Sequence, residues 1–371
     1  MNAIPTRALV CVRPLVPCTK QLTKQLSPKI TDYSPMPRRR RVYFEHTNYE
    51  LIPRTKDTLP LPPTKTTNEI LLGIKGRTQR DDKVTLSNFV HMNNHEHILA
   101  VSQSANELSR FHMELQKKTT DAVKALTGKK QLNLWENRPP VVKIATLEDA
   151  ILRLIYIFSN PSKAGLSDSI DNYPGLSTWE AFTTCPPAPD AATTITTRWH
   201  PTRSLPELPT SLTLTPQEDT KLANQLKESP EAHTHALTIY PFAWLIPHNI
   251  TDLQEIEAIR QRIIKAVRLN ERRYALEREK KKQKARGATF LLRMRYMKPH
   301  KPKKSNRRIF LICHSKRLRR SLIRTFKEIS NQCTKCFQLF KRGLPTEWPP
   351  GTFIPWLPPS RAHPPICGSH T

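Results

Sequence analysis

Phe89-Val-His-Met-Asn-Asn-His-Glu-His-Ile-Leu-Ala-Val101 sets two histidines, His95 and His97, two positions apart between apolar runs. In a strand, residues i and i+2 project from the same face. The two imidazoles then point together, close enough to share one divalent cation. Two surface histidines at this spacing are also common, so the motif acquires meaning only from its surroundings.

Upstream, Lys83 to Met92 reads as a strand, and Ile98 to Val101 as the next, so the histidines lie where one strand leads into another. Arg41 to Tyr49 alternates and is rich in aromatic residues, a first strand, with Arg54 to Leu61 as a loop. Thr67 to Gln79 carries Ile70, Leu71 and Ile74 at helical spacing behind capping threonines. Downstream, Ala105 to Leu126 is a helix with Leu108, Phe111, Leu115 and Val123 on one side, closed by Gly128. Val141 to Ile144 is a short fourth strand. Thr146-Leu-Glu-Asp149 then opens a helix like a capping box, and Pro161 is expected to stop it. The order is α+β, compatible with a ferredoxin-like antiparallel sheet.

Composition sets the partner. The chain has 371 residues and a net charge of +29. That excess makes a polyanion the default ligand, because Lys and Arg displace condensed counterions from phosphates. Only 9 glycines stand against 34 prolines, and neither a Walker nor a Rossmann pattern is present. No apolar run approaches the ~18 residues of a membrane span. The 7 cysteines are scattered, and Cys333 with Cys336 reads as a helical pair rather than a zinc site.

Residues 1–35 are basic and almost free of acid. They read as a disordered arm or as an extension before a natural start at Met36-Pro-Arg-Arg-Arg-Arg41, with a transit peptide as the competing account. A first domain is expected over 36–185, a Pro/Thr-rich linker over 186–216, a basic and largely helical region over 217–360, and a tail over 361–371. In the second half, Gln217 to Glu228 reads as a short helix and Leu237 to Trp244 as a strand broken by proline. Thr251 to Lys284 reads as a long helix, Arg307 to Cys313 as a strand, and Leu318 to Phe340 as an amphipathic helix. Residues 271–310 hold 16 Lys or Arg against 3 acids, too many for pairing along a helix to neutralise.

Four further runs occur in order: Arg54-Thr-Lys-Asp-Thr-Leu-Pro-Leu61, Leu134-Trp-Glu-Asn-Arg138, Tyr156-Ile-Phe-Ser-Asn-Pro-Ser-Lys-Ala-Gly165 and Tyr173-Pro-Gly-Leu-Ser-Thr-Trp179. With Asn-His-Glu-His they resemble the REP-associated tyrosine transposases, one-tyrosine HUH nucleases, in a long form with a basic C-terminal extension. The likeness runs from Arg41 to about Phe182. It implies that Tyr156 is the nucleophile on single-stranded or hairpin DNA, with His95, His97 and Asn160 holding a divalent ion, Mg2+ or Mn2+. It also implies a bacterial, cytoplasmic, nucleoid-associated protein with no membrane contact, and a monomer rather than a homodimer.

Without the family match, Tyr156 would read as a core aromatic and Asn160 as a helix C-cap. Arg38, Arg39, Arg40, Arg41, Arg138, Lys163, Lys281, Lys282, Lys284, Arg307 and Arg308 are the expected DNA contacts. The family usually has an apolar residue between the histidines; here it is Glu96. Strand alternation sends that carboxylate to the hydrophobic side, at a cost unless a cation meets it. Glu96 therefore favours the alternative, a catalytically inactive DNA-binding protein of the same fold. His91 and His112 are further candidates near the site, of which His91 reads as structural, and His233-x-His235 is discounted because it lies in a polar segment with no apolar strand before it.

Overall fold

Two strands at the middle of the sheet carry the histidine motif and its neighbours. They are β1 (Thr47–Leu51) and β3 (His95–Ser102), antiparallel, with Glu50 opposite Leu99 and Leu51 opposite Ile98. The computed structural model describes residues 41–136, 140–208, 214–294 and 309–354. β2 (Thr85–Met92) pairs with β3, and β4 (Val141–Ile144) with β1. Helix α1 (Lys65–Asp82) joins β1 to β2, and α2 (Ala105–Thr127) joins β3 to β4. The strand order β2-β3-β1-β4 with these two crossovers is the ferredoxin-like arrangement, and the fold is α+β.

Each face of the sheet is a separate core. Leu51, Leu86, Phe89, Ile98 and Ala100 pack under α1 and α2. Val90, Met92 and Leu99 pack on the other side under α3 (Leu147–Lys163) and α6 (Leu253–Lys280). A register shift between Leu86 and Asn88 re-phases β2, so that Phe89 and Val90 each meet the correct core.

The second half of the chain builds onto this sheet instead of forming a separate domain. The stretch 186–216, expected as a linker, contains β5 (Thr193–Trp199), which pairs antiparallel with β6 (His233–Ile239). Its run Thr-Thr-Ile-Thr-Thr is β-branched, and that propensity outweighed the surrounding prolines. β6 joins the β2 edge and β7 (Leu311–Ile312) the β4 edge, giving seven strands in the order β5-β6-β2-β3-β1-β4-β7. Arg41–Thr371 accordingly clusters as one unit. Two α1 glycines permit the addition: a Cβ on Gly73 would lie 1.9 Å from the Arg198 carbonyl oxygen, and one on Gly76 2.2 Å from Thr197 Oγ1.

The described residues also form α4 (Trp179–Thr184), α5 (Pro216–Glu228), α7 (Gly287–Leu292) and the long α8 (Lys316–Lys341). Several boundaries differ from the sequence expectation. The first strand starts at Thr47, not Arg41, because the chain turns at His46, whose φ is 48°. The strand expected over 307–313 is confined to Leu311–Ile312 among the described residues. Pro161 does not stop α3, which runs on to Lys163. The proline lies in the last turn, where the bond it forgoes matters least, and Ala164 N still reaches the Asn160 carbonyl at 2.9 Å. Among the described residues, no helix is long and apolar enough to cross a membrane.

Candidate functional site

Strand alternation places His95 and His97 on the α3 face of β3, beside Leu99. On α3, Arg153, Tyr156, Asn160 and Lys163 are spaced 3, 4 and 3 apart and share one face. The two elements meet there. The His95 and His97 rings lie 4.9 Å apart, and the Tyr156 ring stands edge-on to His97 at 5.6 Å. Asn160 approaches with its side-chain amide 2.8 Å from His97 Nε2. Asn160 is thus not a helix cap, and the α3 C-cap is Ala164.

A carboxylate that sequence reading missed organises the histidine. Glu50 of β1 is fully buried, and its Oε1 accepts the His97 Nδ1–H at 2.7 Å. Arg153 closes on the same carboxylate through two bonds, Nε to Oε2 and a terminal nitrogen to Oε1, both 2.6 Å. Burial alone would raise the Glu50 carboxyl; Arg153 and His97 hold it below the ordinary range. Because Nδ1 donates, His97 Nε2 carries a lone pair toward the site. His95 is oriented similarly, its Nδ1 lying 2.7 Å from Asn94 Oδ1, while its Nε2 takes no hydrogen bond among the described residues and stays accessible. Burial depresses both imidazoles, so both are neutral at neutral pH.

Tyr156 sits between cations. The Arg153 guanidinium is 4.2 Å from its ring centroid and Lys163 Nζ 4.7 Å. Its hydroxyl takes no hydrogen bond among the described residues and remains accessible. Burial raises the phenol above its usual value, and Arg153 and Arg54 oppose that shift. Helix α6 braces the back of α3: Asn270 Nδ2 meets Ser159 Oγ at 3.3 Å and Arg278 meets the Ser162 carbonyl at 2.7 Å. Past α6, Arg286 N and Gly287 N bond the carbonyls of Gly165 and Leu166.

One solved structure, a REP-associated tyrosine transposase bound to a REP hairpin, is similar to this chain. It aligns over 40% of this chain and 86% of that one, at 21% identity and a TM-score of 0.35. No family model and no curated protein matches the chain.

Glu96 lies on the reverse face of β3. Its Oε1 is 2.6 Å from Lys75 Nζ of α1, and both side chains are buried. The carboxylate is therefore met by a cation and does not intrude between His95 and His97. Lys75 is the partner whose identity the sequence left open. His91, directly across from Glu96, faces the same way and reaches the Leu61 carbonyl at 3.4 Å, away from Tyr156.

The remaining expected residues divide. Lys281, Lys282 and Lys284 are exposed just beyond α6, in the segment between the Arg278–Ser162 and Arg286–Gly165 contacts. Arg41 is not part of this cluster; its charge acts on Tyr43 and His112. Arg38, Arg39, Arg40, Arg138, Arg307 and Arg308 lie outside the described residues. Arg54 and Arg153 were missed, although Arg153 shares the face of Tyr156 and was legible by helical spacing.

Among the described residues, no group of three or more His, Cys, Asp and Glu forms a ready cation site. Two imidazole nitrogens and one carboxamide oxygen do make a donor set for a divalent ion, once the Asn160 amide turns its oxygen inward. The imidazoles suit Mn2+ better than Mg2+, which prefers oxygen ligands.

Proposed function

We propose that the protein is a single-strand DNA endonuclease and strand transferase acting through Tyr156. The observation that carries this reading is that the His95, His97 and Tyr156 rings and the Asn160 amide come together where β3 meets α3. The phenol oxygen bonds to phosphorus as its proton leaves. The bond from phosphorus to the 3′ oxygen breaks, and that oxygen takes up a proton. The products are a 5′-phosphotyrosine and a free 3′ hydroxyl, and the reverse reaction reseals without a nucleotide.

His95, His97 and Asn160 would hold the divalent ion, which supplies charge stabilisation at the phosphate oxygens. The chain's own cations share that task. Arg153 and Lys163 flank the Tyr156 ring and favour the ionised phenol, while Arg54 adds positive charge beside the histidines. Glu50 keeps His97 in one tautomer and, through Arg153, fixes the rotation of α3. Lys281, Lys282 and Lys284 extend the positive surface along the bound strand. With Glu96 paired to Lys75, the feature that favoured an inactive binder no longer does so.

Labelled single-stranded DNA incubated with the protein and Mn2+ tests the reading. The expected result is a covalent adduct that resists denaturation and disappears in Tyr156→Phe. Salt-sensitive binding with no adduct, or an adduct that persists in Tyr156→Phe, overturns it.

A further inference from the structure

The apolar side of α8 is only partly covered: Cys333 is fully buried, the Phe326 ring meets Phe310 at 5.0 Å and the Phe340 ring meets Trp348 at 6.2 Å, while Leu318 and Leu339 are exposed. Arg317, Arg320, Arg324 and Lys327 follow at steps of 3, 4 and 3, which puts them in one row along the helix. All four are exposed, and none forms an ion pair among the described residues. The helix has one acidic residue, Glu328.

A rigid row of four unpaired cations spans about 15 Å at ~1.5 Å per residue. Duplex DNA carries one negative charge per ~1.7 Å of axis over its two strands, a polyanion dense enough to present phosphates to a cationic row of this length.

The row is also tied to the site. His314, three residues before Arg317, bonds Asp149 Oδ1 through its backbone N–H at 2.9 Å and its ring at 2.5 Å. Asp149 lies in the first turn of α3, seven residues before Tyr156, or about 10 Å along the helix. Asp149 does not complete the expected capping box. Thr146 caps its N–H at 3.1 Å, while its carboxylate serves His314 and the Thr146 hydroxyl.

We infer that α8 is a backbone-reading surface for duplex nucleic acid, such as the stem of a folded strand whose unpaired portion enters the Tyr156 site. The inference rests on the nucleic-acid partner proposed above but not on chemistry at Tyr156.

The experiment compares wild-type protein with the quadruple variant Arg317→Gln, Arg320→Gln, Arg324→Gln, Lys327→Gln, in a helix that glutamine tolerates. Duplex binding is titrated from low to moderate salt. The slope of log affinity against log salt is expected to flatten by about 3.6, from ~0.9 per lost phosphate contact. Adduct formation on a short unstructured strand should stay unchanged, which reads the Tyr156 chemistry separately. A control carrying Lys117→Gln, Lys129→Gln and Lys130→Gln, all exposed positions, should change the slope much less. An unchanged slope in the quadruple variant, or equal flattening in the control, overturns the inference. So does loss of binding to phosphatidylserine vesicles with duplex binding intact.

Discussion

The chain contains two His-x-His motifs on strands, and only one sits in a candidate site. His233 and His235 begin β6, with α5 and a turn before them, and their side chains share a face as those of His95 and His97 do. His235 is buried with Nε2 unpartnered, and His233 is exposed with its ring 5.5 Å from Trp199. Arg77 of α1 lies over Trp199 at 5.0 Å. No carboxylate holds a ring nitrogen there among the described residues, and the facing helix α1 brings arginines, not a tyrosine. His97 by contrast has Glu50 on one nitrogen and Asn160 on the other. Spacing aligns two rings; what arrives from across the sheet decides their chemistry.

The middle residue of each motif gives the largest expected contrast. Glu96→Ala leaves the Lys75 ammonium buried and alone, and should cost about 3–5 kcal/mol. Thr234→Ala, at an exposed position, should stay within about 0.5 kcal/mol. Urea unfolding measures both. Removing the pair together, Lys75→Met with Glu96→Leu, should restore most of the stability. Failure of that rescue would show that the ion pair has a role beyond its own neutralisation.

Next are the histidines themselves. His97→Ala should slow adduct formation by about 10²–10³, the usual cost of losing one group that stabilises charge at the reacting phosphate. His235→Ala should remain within about twofold. Equal losses would break the distinction between the motifs.

Glu50→Gln sharpens it further, because the second motif has no counterpart. The variant keeps an acceptor for His97 but loses the charge that fixes the tautomer and anchors Arg153. The Mn2+ concentration for half-maximal adduct should rise about 10–100-fold. An unchanged metal dependence would remove Glu50 from the positioning role.

A further prediction concerns a histidine in neither motif. His112 is fully buried with both ring nitrogens unpartnered, and burial lowers it from 6.5 to about 3. The unfolded chain takes up a proton near pH 6.5 while the folded one does not. Stability should therefore fall as pH drops from about 6.5 toward 3, by ~1.4 kcal/mol per pH unit from this group. His112→Met should flatten that slope in urea titrations at pH 7, 6 and 5. An unaltered slope would show that the imidazole is solvated.

Local signals were read well where the information was local. β4 has the expected bounds, and α1 starts where the capping threonines indicate, with Thr64 accepting from Thr67 N. The caps of α6 by Asp252 and of α5 by the Thr215–Glu218 capping box are equally local but were not read, and the capping box expected at Thr146 is not completed by Asp149. Composition misled at β5, where prolines on either side of a threonine-rich run suggested a linker. Prolines mark turns, but β-branched residues between them still pair when an edge is available.

The sequence alone determined the α+β order, the face shared by His95 and His97, the helical face of Tyr156 and Asn160, and the polyanion-seeking charge. Each depends on the period of a strand or a helix, or on a sum over residues, and so needs no knowledge of distant neighbours. Only the tertiary structure decided that Glu50 meets His97 and Arg153, that Lys75 neutralises Glu96, and that α6 and β7 build onto the first-half sheet. Those partners lie tens to hundreds of residues apart, and a buried charge takes whichever counterion the packing of its face presents.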